Sequence, residues 1–431
     1  MASSSVIMKL DEIVTNPRSS LAAMERYVND GSPSGFTFIN TTSEHTRPRS
    51  SVISFRLAEI VPRNGVLIHN LGQIPSNLFS KEGDSAERML VHPDMLGHPK
   101  LFNIGKWDDH LSRFEVEPTA SPRTVRLRAT RPDGYVKLHY EGHLSRIVRR
   151  ITLKHAQAAL ETDGILASLV KGSSMPASFA YYREVGARVY QLSNATTETY
   201  WGMVWRPAEI FGSRALQIAY LVPAFALFSQ DCREPDAYSL LRQLGDIHTS
   251  NKIQFLVEEL LFPLVHSYFG MILQAGLQGE WHAQNVVLGF DETWHCIATV
   301  LRDLESVDRD LPLMTLDGAS VDLHSYPYKC LERGGDIYPI RHSFMFDYKF
   351  GEYLLAPLID HACTAWGVPT TTIDKLVVDL VMSYLDSLPS DFFPADGCWY
   401  KFANQLIDQS ISQRPYVRLE NPRFRASRKR L

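Results

Sequence analysis

Two short apolar segments joined by a polar turn are the feature that most restricts the fold of this chain. Val286–Phe290 and Cys296–Leu301 have the length and apolar content of strands, and residues 291–294 between them are typical of a hairpin loop. We therefore predict an antiparallel hairpin in which Phe290 pairs with His295.

Polar side chains gather at the open end of the predicted hairpin. This register sets His282 opposite Asp303 and Glu280 opposite Glu305. Carboxylate oxygens suit Mg²⁺ that bridges phosphates, and neighbouring amide side chains can hydrogen-bond a base, a ribose or a phosphate. The pattern indicates one half of a nucleotide site, the alternative being a hairpin with merely solvated ends. The residues are Glu280, His282, Gln284, Asn285, Arg302, Asp303 and Glu305.

A second polar cluster lies upstream, on a predicted pair of strands. Residues 125–130 end in the turn sequence Arg131–Gly134, and Tyr135–Tyr140 returns as the partner strand. Lys137 lies in the middle of that strand, where its ammonium group can point at a phosphate as a compact charge. The residues that open this segment are Ser121, Arg123 and Thr124.

After Gly142 the pattern changes to that of a helix, which we predict over Leu144–Thr162. Arg146, Arg149 and Arg150 fall on one side of its opening turns. A helix N-terminus favours anions, so arginines at this place indicate a bound anion, with surface salt bridges as the alternative.

These elements, in this order, resemble the siderophore synthetases that work without a non-ribosomal peptide template, the aerobactin-synthetase family. That family carries a Ser-x-Arg-Thr element, a strand lysine, an arginine twelve residues later, and an acidic-x-His-x-Gln-Asn hairpin ending in Arg-Asp-x-Glu. A predicted helix at Ile253–Leu277 and the late Asn421-Pro422 also agree, so the resemblance covers roughly residues 115–425. The matching residues are Ser121, Arg123, Thr124, Lys137, Arg149, Glu280, His282, Gln284, Asn285, Arg302, Asp303 and Glu305.

The resemblance implies an α+β fold of the cupped-hand type, with a β-rich central lobe and a mostly helical C-terminal lobe. We expect a reduced, thumb-like N-terminal lobe at residues 1–115 and a fingers-like ATP-binding lobe at 116–232. A palm-like lobe at 233–431 would carry the hairpin of residues 280–305. ATP is then expected in the cleft between the last two lobes.

The resemblance also implies an ATP-dependent ligase that uses ATP and Mg²⁺. Such an enzyme adenylates a carboxylate of citrate or a related acid and releases pyrophosphate. It then joins the acyl group to an amine, hydroxylamine or alcohol as an amide or ester. In-line attack of a carboxylate on the α-phosphorus needs cationic groups and a metal around the phosphates, which the predicted cluster contains.

Roles follow from the resemblance residue by residue. Lys137, Arg123 and Arg149 would clamp phosphates, while Ser121 and Thr124 would donate hydrogen bonds. The implied catalytic residues are Lys137, Arg149, His282 and Arg302. The implied nucleotide contacts are Ser121, Arg123, Thr124, Lys137, Arg149, His282, Gln284, Asn285, Asp303 and Glu305. The implied metal ligands are Glu280, Asn285 and Asp303.

The chain departs from the family in its N-terminal region. The Ser-x-Arg-Thr element begins at residue 121, earlier than in full-length members, and the His-Pro pairs at His92 and His98 are farther apart. The sequence leaves open which of His92, His98 and Lys100 contacts a ligand. A smaller or different acyl substrate, a partner subunit or an inactive relative would each fit a shortened lobe.

An ATP-dependent phosphotransferase of kinase-like type is the alternative class of enzyme. Kinases also place a His-containing loop and an Asn at one end of a hairpin and a metal-binding Asp at the other. Against this class, no Asp lies between His282 and Asn285, Asp303 is followed by Leu304 rather than Phe, and no Gly-rich loop precedes Lys137. A non-catalytic nucleotide-binding subunit is the third possibility.

Composition is that of an ordinary cytoplasmic enzyme. With 431 residues, 45% hydrophobic and 21% charged, the chain can bury a large core. The net charge of −4 predicts no attraction to nucleic acid, and five widely spaced cysteines predict reduced thiols. Met1–Val14 lacks the apolar segment of a signal peptide, and Ile218–Phe228 is too short to span a membrane. The resemblance alone suggests a homodimer or partner subunit.

The C-terminal third is predicted to be rich in helices. Apolar residues recur at helical spacing within Tyr238–Leu277, where they indicate a buried core. Asp374–Leu388 and Trp399–Ile411 are predicted helices. The basic segment Arg423–Leu431 is predicted to be a solvated tail, or alternatively a tail that reaches over an anionic pocket.

Overall fold

The structure is a computed structural model with several sheets and eleven α-helices in its described part, which confirms the predicted α+β class. Strands and helices are numbered in chain order. The structure describes residues 8–29, 43–45, 50, 52–78, 87–107, 112, 114–121, 123–128, 133–143, 148–193, 198–234, 236–314, 329–402 and 416–425.

A seven-stranded antiparallel sheet carries Lys137 on its central strand. Every residue of that strand is buried, and three strands flank it on either side. The predicted pairing of the Lys137 strand with the preceding one is confirmed, with Thr124 opposite Lys137. In spatial order the strands are β1 (Phe55–Arg56), β6 (Glu115–Pro118), β7 (Thr124–Leu127), β8 (Gly134–Leu138), β13 (Glu198–Pro207), β12 (Gly186–Ser193) and β3 (Leu67–Gly72).

A five-stranded sheet contains the predicted hairpin. Both hairpin strands have the predicted bounds, and one of them lies at the centre of the sheet, paired in parallel with an earlier strand. In spatial order the strands are β14 (Ile210–Gly212), β11 (Phe179–Tyr182), β18 (Cys296–Leu301), β17 (Val286–Phe290) and β15 (Tyr220–Pro223).

Four small sheets complete the strands of the described residues. The first joins β4 (Met89–Val91), β2 (Ala58–Pro62) and β5 (Gly105–Trp107), and the second joins β9 (Tyr140–His143) and β10 (Val148–Arg149). The third joins β16 (Leu277–Gln278), β19 (Asp308–Asp310) and β20 (Cys330–Leu331), and the fourth joins β21 (Trp399–Phe402) and β22 (Tyr416–Leu419).

The helices pack mostly around the hairpin sheet and in the C-terminal half. Two pairs of helices are joined by π-helical segments: Phe255–Leu261 lies between α7 and α8, and Phe344–Leu355 lies between α9 and α10. The helices are α1 (Leu10–Thr15), α2 (Pro17–Tyr27), α3 (Pro99–Ile104), α4 (Leu153–Lys171), α5 (Ala224–Phe228), α6 (Leu240–Ile247), α7 (Lys252–Gln254), α8 (Phe262–Ala275), α9 (Ile337–Ser343), α10 (Ala356–Trp366) and α11 (Thr370–Leu385).

The helix predicted at Ile253–Leu277 is present as the continuous run α7 to α8, Lys252–Ala275. Within the described residues it alone has the length and apolar content of a membrane span, yet 67% of its most apolar stretch is buried inside the protein. It ends at Gly276, whose φ of +61° a residue with a Cβ rarely adopts. Burial on this scale is what a core helix requires.

Two predicted helices are wrong in the structure. The helix predicted over Leu144–Thr162 begins only at Leu153, because Val148–Arg149 form the strand β10, which pairs with β9. Residues 144–147 lie outside the described part of the chain. Thr152 caps α4 by accepting a hydrogen bond from the backbone N–H of His155, whose ring accepts one in return from the backbone N–H of Thr152. The helix predicted at Trp399–Ile411 opens instead as strand β21, and its remainder lies outside the described residues.

The predicted helix at Asp374–Leu388 is present as α11, shifted toward the N-terminus. Each predicted lobe boundary separates strands that belong to the same sheet. β1 and β3 precede residue 115 but belong to the seven-stranded sheet. β11 and β15 precede residue 233 but pair with the hairpin strands, and β14 pairs with β11. The three-lobe division stays a prediction.

Candidate active site

The hairpin presents its polar end in a register that differs from the predicted one. Val286 lies opposite Leu301, and Phe290 lies opposite Cys296 rather than His295, because the ladder shifts at Gly289 and Phe290. Residues 283–285 form a 3-10 turn instead of extending the strand. His282 therefore does not face Asp303 across the ladder, and the prediction of that pairing is wrong.

Asp303 lies at the end of β18 in a left-handed backbone conformation, with φ of +76°. Only a few non-glycine residues tolerate this region, Asp and Asn among them. The reversal turns Asp303 and Glu305 toward the seven-stranded sheet, where both carboxylates contact Lys137. Such conformations persist where surrounding contacts hold them, and here the contact is an ion pair.

Lys137 connects the two sheets through these carboxylates. Its side chain is 3% exposed, and its Nζ contacts Asp303 Oδ1 directly and lies 2.8 Å from Glu305 Oε2. Burial opposes the charge of Lys137, but the two carboxylates outweigh burial and raise its pKa. Burial likewise opposes ionisation of Asp303 and Glu305, and Lys137 outweighs it and lowers the pKa of each. All three groups are charged at neutral pH.

Arg123 extends this charged cluster. Its Nη2 lies 3.3 Å from Glu305 Oε2, and its Nη1 donates to the carbonyl of Arg149 at 3.1 Å. Glu305 also lies 3.7 Å from Nε2 of His155, and its carbonyl accepts a hydrogen bond from Lys329 at 3.0 Å. Thr124 lies opposite Lys137 in the sheet, and its hydroxyl donates to the Ser121 hydroxyl at 3.3 Å.

Arg149 lies on β10 rather than on a helix. Burial and the nearby Arg123 lower its pKa, while Glu280, Asp303 and Glu305 act in the opposite direction. Arg149 is thus near Glu280, Asp303 and Glu305, and a strand rather than the predicted helix positions it. Its role as a phosphate clamp stays a prediction. Of the other two arginines, Arg150 pairs with Glu141 at 3.1 Å and Arg146 lies outside the described residues.

A second acidic group surrounds Glu280. Its carboxylate lies 3.5 Å from Nε2 of His282 and 3.7 Å from Nζ of Lys349. Burial opposes ionisation, but Lys349 and His282 outweigh it and hold the pKa of Glu280 well below its usual range. Burial lowers the pKa of Lys349 to about 8 and also lowers that of His282. Within the described residues, Nδ1 of His282 is buried without a hydrogen-bond partner.

Gln284, Asn285 and Arg302 bond to the protein itself. Gln284 Nε2 donates to the carbonyl of Ala120 at 3.0 Å, and Asn285 Nδ2 donates to the carbonyl of Glu280 at 3.1 Å. Arg302 donates to the carbonyl of Gln284 at 2.6 Å and pairs with Glu25. Each of the two amides keeps a side-chain oxygen as an acceptor.

The N-terminal histidines act as helix caps in the structure. His92 accepts a hydrogen bond from the backbone of Asp94, and His98 accepts one from the backbone of Lys100. Lys100 pairs with Glu141 at 2.9 Å, beside Arg150. These contacts account for both His-Pro pairs by local structure.

Several residues at the site were absent from the predicted set. Glu25, His155, Lys329 and Lys349 contact predicted site residues across more than 20 positions of sequence. No motif or spacing connects them to the cluster, since each contact joins distant segments. Thr152 three residues before His155 is a partial signal for the helix start that positions His155.

Solved structures with the same fold are siderophore-related proteins. The ATP-bound aerobactin synthetase IucA from a hypervirulent pathotype of Klebsiella pneumoniae matches with a TM-score of 0.66 and 14% identity, over 96% of this chain and 80% of that chain. The petrobactin biosynthesis protein AsbB from Bacillus anthracis matches with a TM-score of 0.65 and 13% identity, over 96% and 77%. This chain has the aerobactin-synthetase fold. The fold implied by the motifs is thereby confirmed.

The aerobactin-synthetase fold extends beyond the region that the motifs marked. IucC from Klebsiella pneumoniae, also an aerobactin synthetase, matches 86% of this chain and 69% of its own, with a TM-score of 0.57 and 13% identity. Since the other two matches cover 96% of the chain, the likeness includes most residues before 115. No protein-family model matches the chain, and no curated protein matches it significantly.

Two carboxylates and one amide of the predicted metal set are donor types that Mg²⁺ accepts in proteins. Asp303 and Glu280 are about one-quarter exposed, and Asn285 keeps its side-chain oxygen as an acceptor. Among the described residues no group of three or more His, Cys, Asp or Glu side chains is placed to hold a metal ion alone. Mg²⁺ commonly takes one or two carboxylates and completes its shell with phosphate oxygens and water, so the donor set suits a metal that arrives with a nucleotide.

Proposed function

We propose that this protein is an ATP-dependent ligase that adenylates a carboxylate of citrate or a related acid. It then condenses the acyl group with an amine, hydroxylamine or alcohol to an amide or ester, in siderophore or other specialised-metabolite biosynthesis. The observation that carries the proposal is the cluster between two sheets in which Lys137 contacts Asp303 and Glu305 and Arg123 contacts Glu305. Arg149 lies near the same carboxylates. A fold shared with ATP-bound IucA supports the choice of nucleotide.

The cationic side chains supply what adenylation requires of a protein. Attack of a carboxylate on the α-phosphorus builds negative charge on the phosphate oxygens, and preorganised cations stabilise that charge. Lys137 is held by two partly buried carboxylates, and Arg123 is anchored to the carbonyl of Arg149. Neither side chain has to be ordered when a nucleotide binds. Loss of one such cation typically costs about 3 kcal/mol of transition-state stabilisation.

Metal and substrate contacts follow from the same arrangement. When bound, Mg²⁺ would neutralise phosphate charge, held by Asp303 with Glu280 and Asn285. His282 is neutral at pH 7 because burial lowers its pKa, and its unpartnered Nδ1 is free to bond the acid or the nucleophile. Arg149 would help Lys137 and Arg123 to clamp the phosphates, and the carboxylate that attacks would enter the cleft beside Arg149 and His282. Ser121, Thr124, Gln284 and Glu305 would complete the nucleotide contacts.

Product analysis tests the proposal. The protein is incubated with ATP, Mg²⁺, a panel of polycarboxylic acids that includes citrate, and hydroxylamine as a trap. We expect AMP, pyrophosphate and a hydroxamate whose acyl group identifies the acid. ADP would instead establish the kinase-like alternative, and nucleotide binding without turnover of any acid would favour a non-catalytic subunit.

A matched pair of lysine variants controls that assay. Lys137→Gln should abolish AMP formation, because the neutral amide supplies no charge to the phosphates. Lys106→Gln removes an exposed lysine of β5 and should leave turnover at the wild-type rate. If Lys137→Gln formed AMP at the wild-type rate, Lys137 would have no role in the reaction.

A further inference from the structure

Glu25 of α2 contacts two segments of the candidate active site at once. It is 5% exposed, although its helix belongs to the N-terminal region and is far from the site in sequence. Its Oε2 accepts a hydrogen bond from the backbone N–H of Ala120 at 2.7 Å, and its Oε1 accepts one from Nη1 of Arg302 at 2.6 Å. Ala120 directly precedes Ser121, and Arg302 directly precedes Asp303.

Gln284 closes these contacts into a ring. The carbonyl of Gln284 accepts from Nε of Arg302 at 2.6 Å, and its Nε2 donates to the carbonyl of Ala120 at 3.0 Å. The backbone N–H of Arg302 also donates to the carbonyl of Asn285 at 2.9 Å. The Glu25 ring, made of Glu25, Ala120, Gln284 and Arg302, thus joins the Ser-x-Arg-Thr loop, the turn after His282 and the end of β18.

The helix that carries Glu25 is itself attached to the Lys137 sheet. Arg18 of α2 donates to the carbonyl of Leu127 at 3.2 Å and pairs with Asp133 at 3.1 Å. Arg126 on β7 donates back to the carbonyl of Arg18 at 3.4 Å. One end of α2 is therefore fixed to the sheet, and the other end places a buried carboxylate at the hairpin.

We propose that Glu25 is a positioning residue for the nucleotide site, which holds the Ser-x-Arg-Thr loop and Asp303 in register through Ala120 and Arg302. The nucleotide in this statement rests on the proposed function, whereas the placement of the two segments does not. A buried charge pair is costly to break from one side, because the remaining partner is left unpaired. Both oxygens of Glu25 accept hydrogen bonds, three in all, so an amide at this position loses at least one of them.

Glu25→Gln tests this role against Asp163→Asn. Asp163 has the same 5% side-chain exposure and forms a bidentate pair with Arg183, away from the ring. We expect Glu25→Gln to weaken ATP binding, measured by calorimetry, by about tenfold. Asp163→Asn should lose thermal stability and bind ATP as the wild type does. Equal ATP affinity in both variants would overturn the proposal.

Arg302 variants show whether Glu25 acts through the ring. Arg302→Gln and Glu25→Gln should each weaken ATP binding, and the double variant should fall no further than the weaker single variant, because both break one unit. If the ATP affinity of the double variant instead fell by the product of the two single-variant factors, the two residues would act independently and the ring would be contradicted.

Hydrogen exchange of the ligand-free protein separates this inference from the proposed function. Glu25→Gln should increase amide exchange in residues 119–124 and 300–306 at least about tenfold over wild type, with residues 186–193 of the same sheet unchanged. Should the wild type bind no ATP, the proposed function fails while this result alone still decides the positioning role. Unchanged exchange in both segments would overturn it.

Discussion

At the scale of single residues, the candidate site is a set of buried charges that neutralise one another. Lys137 forms ion pairs with Asp303 and Glu305, Arg123 pairs with Glu305, and Lys349 pairs with Glu280. Buried ions are tolerated only when paired, so the site without nucleotide is stable because its cations and carboxylates meet. A nucleotide and its metal would have to replace some of these ion pairs when they bind.

Asp303→Asn should raise the Mg²⁺ concentration needed for half-maximal turnover by about tenfold or more, because the amide keeps the shape but loses the charged ligand. Magnesium titration of ATP-dependent turnover measures the effect. Asp360→Asn changes an exposed carboxylate paired with Arg423 and serves as the control. A titration identical to wild type would exclude Asp303 as a metal ligand.

His92 predicts a pH dependence of folding stability. Burial lowers its pKa from 6.5 to about 4, against the opposing effect of Asp94, and His45 lies nearby. Between pH 6.5 and pH 4 the unfolded chain binds a proton that the folded protein does not. Stability therefore falls as pH falls through this window, by up to about 3 kcal/mol from this group.

His92→Asn checks that dependence, because the amide oxygen can still accept from the backbone of Asp94 but does not titrate. Urea unfolding near pH 4.5 and near pH 7 should show a smaller loss of free energy of unfolding in the variant than in the wild type. Parallel losses in the two proteins would contradict the assignment to His92.

At the scale of elements, the strongly patterned segments were predictable and the helix starts were not. The hairpin strands match in both bounds, since a short apolar run on either side of a polar turn is a plain sequence signal for strands buried on both faces. The start of α4 was missed because His155, rather than Glu or Gln, completes its capping box with Thr152. The helical pattern predicted after Gly142 was therefore extended over Val148 and Arg149, which pair with β9 as the strand β10.

The predicted basic tail is wrong where the structure describes it. Arg423 pairs with Asp360 at 2.6 Å and with Asp374 at 2.9 Å, and Arg425 pairs with the buried Asp347 at 2.9 Å. A run of like charges indicates solvation only when no acidic partner faces it. The acidic partners here lie on three helical segments that are distant from the tail in sequence. Residues 426–431 lie outside the described part of the chain.

Two helix-interior glycines allow a paired test of packing. A Cβ added at Gly164 of α4 meets nothing within 4 Å, whereas one at Gly270 of α8 lies 2.7 Å from ring atoms of Pro176. Gly164→Ala should raise the free energy of unfolding by about 0.5–1 kcal/mol, because alanine restricts the unfolded chain and favours the helix. Gly270→Ala should lower it by about 1–3 kcal/mol through the clash.

Chemical denaturation of both variants measures the difference, and circular dichroism controls for helix content. The pair shares residue type, substitution and helical environment, so only the space around the new methyl group differs. Destabilisation by Gly164→Ala would mean that α4 packs more closely than the structure has it.

At the scale of the whole molecule, the order of motifs predicted the fold but not the contacts that join its parts. Lys137 and Asp303 are 166 residues apart, and Glu25 and Arg302 are 277 apart. The resemblance brought the first pair into one site because both positions belong to its motifs. No spacing rule brings Glu25 there, since a polar contact between distant segments leaves no periodic signal in the sequence.

Because Lys137 and the hairpin come from different sheets, nucleotide binding should stabilise the whole molecule. A ligand that binds only the folded state adds about 2.7 kcal/mol at a hundred times its dissociation constant, and the gain grows with the logarithm of ligand concentration. We expect the thermal midpoint of wild type to rise steadily with ATP and Mg²⁺. Lys106→Gln should show the same rise.

Lys137→Gln should show no such rise, although its midpoint without ATP is also expected to fall. That fall has a separate cause, because the variant leaves Asp303 and Glu305 with one buried cation fewer. The two effects separate in a titration: the intercept reports the lost ion pairs, and the slope against the logarithm of ATP concentration reports binding. A wild-type slope from the lower intercept would make Lys137 a structural link between the sheets and place the nucleotide elsewhere.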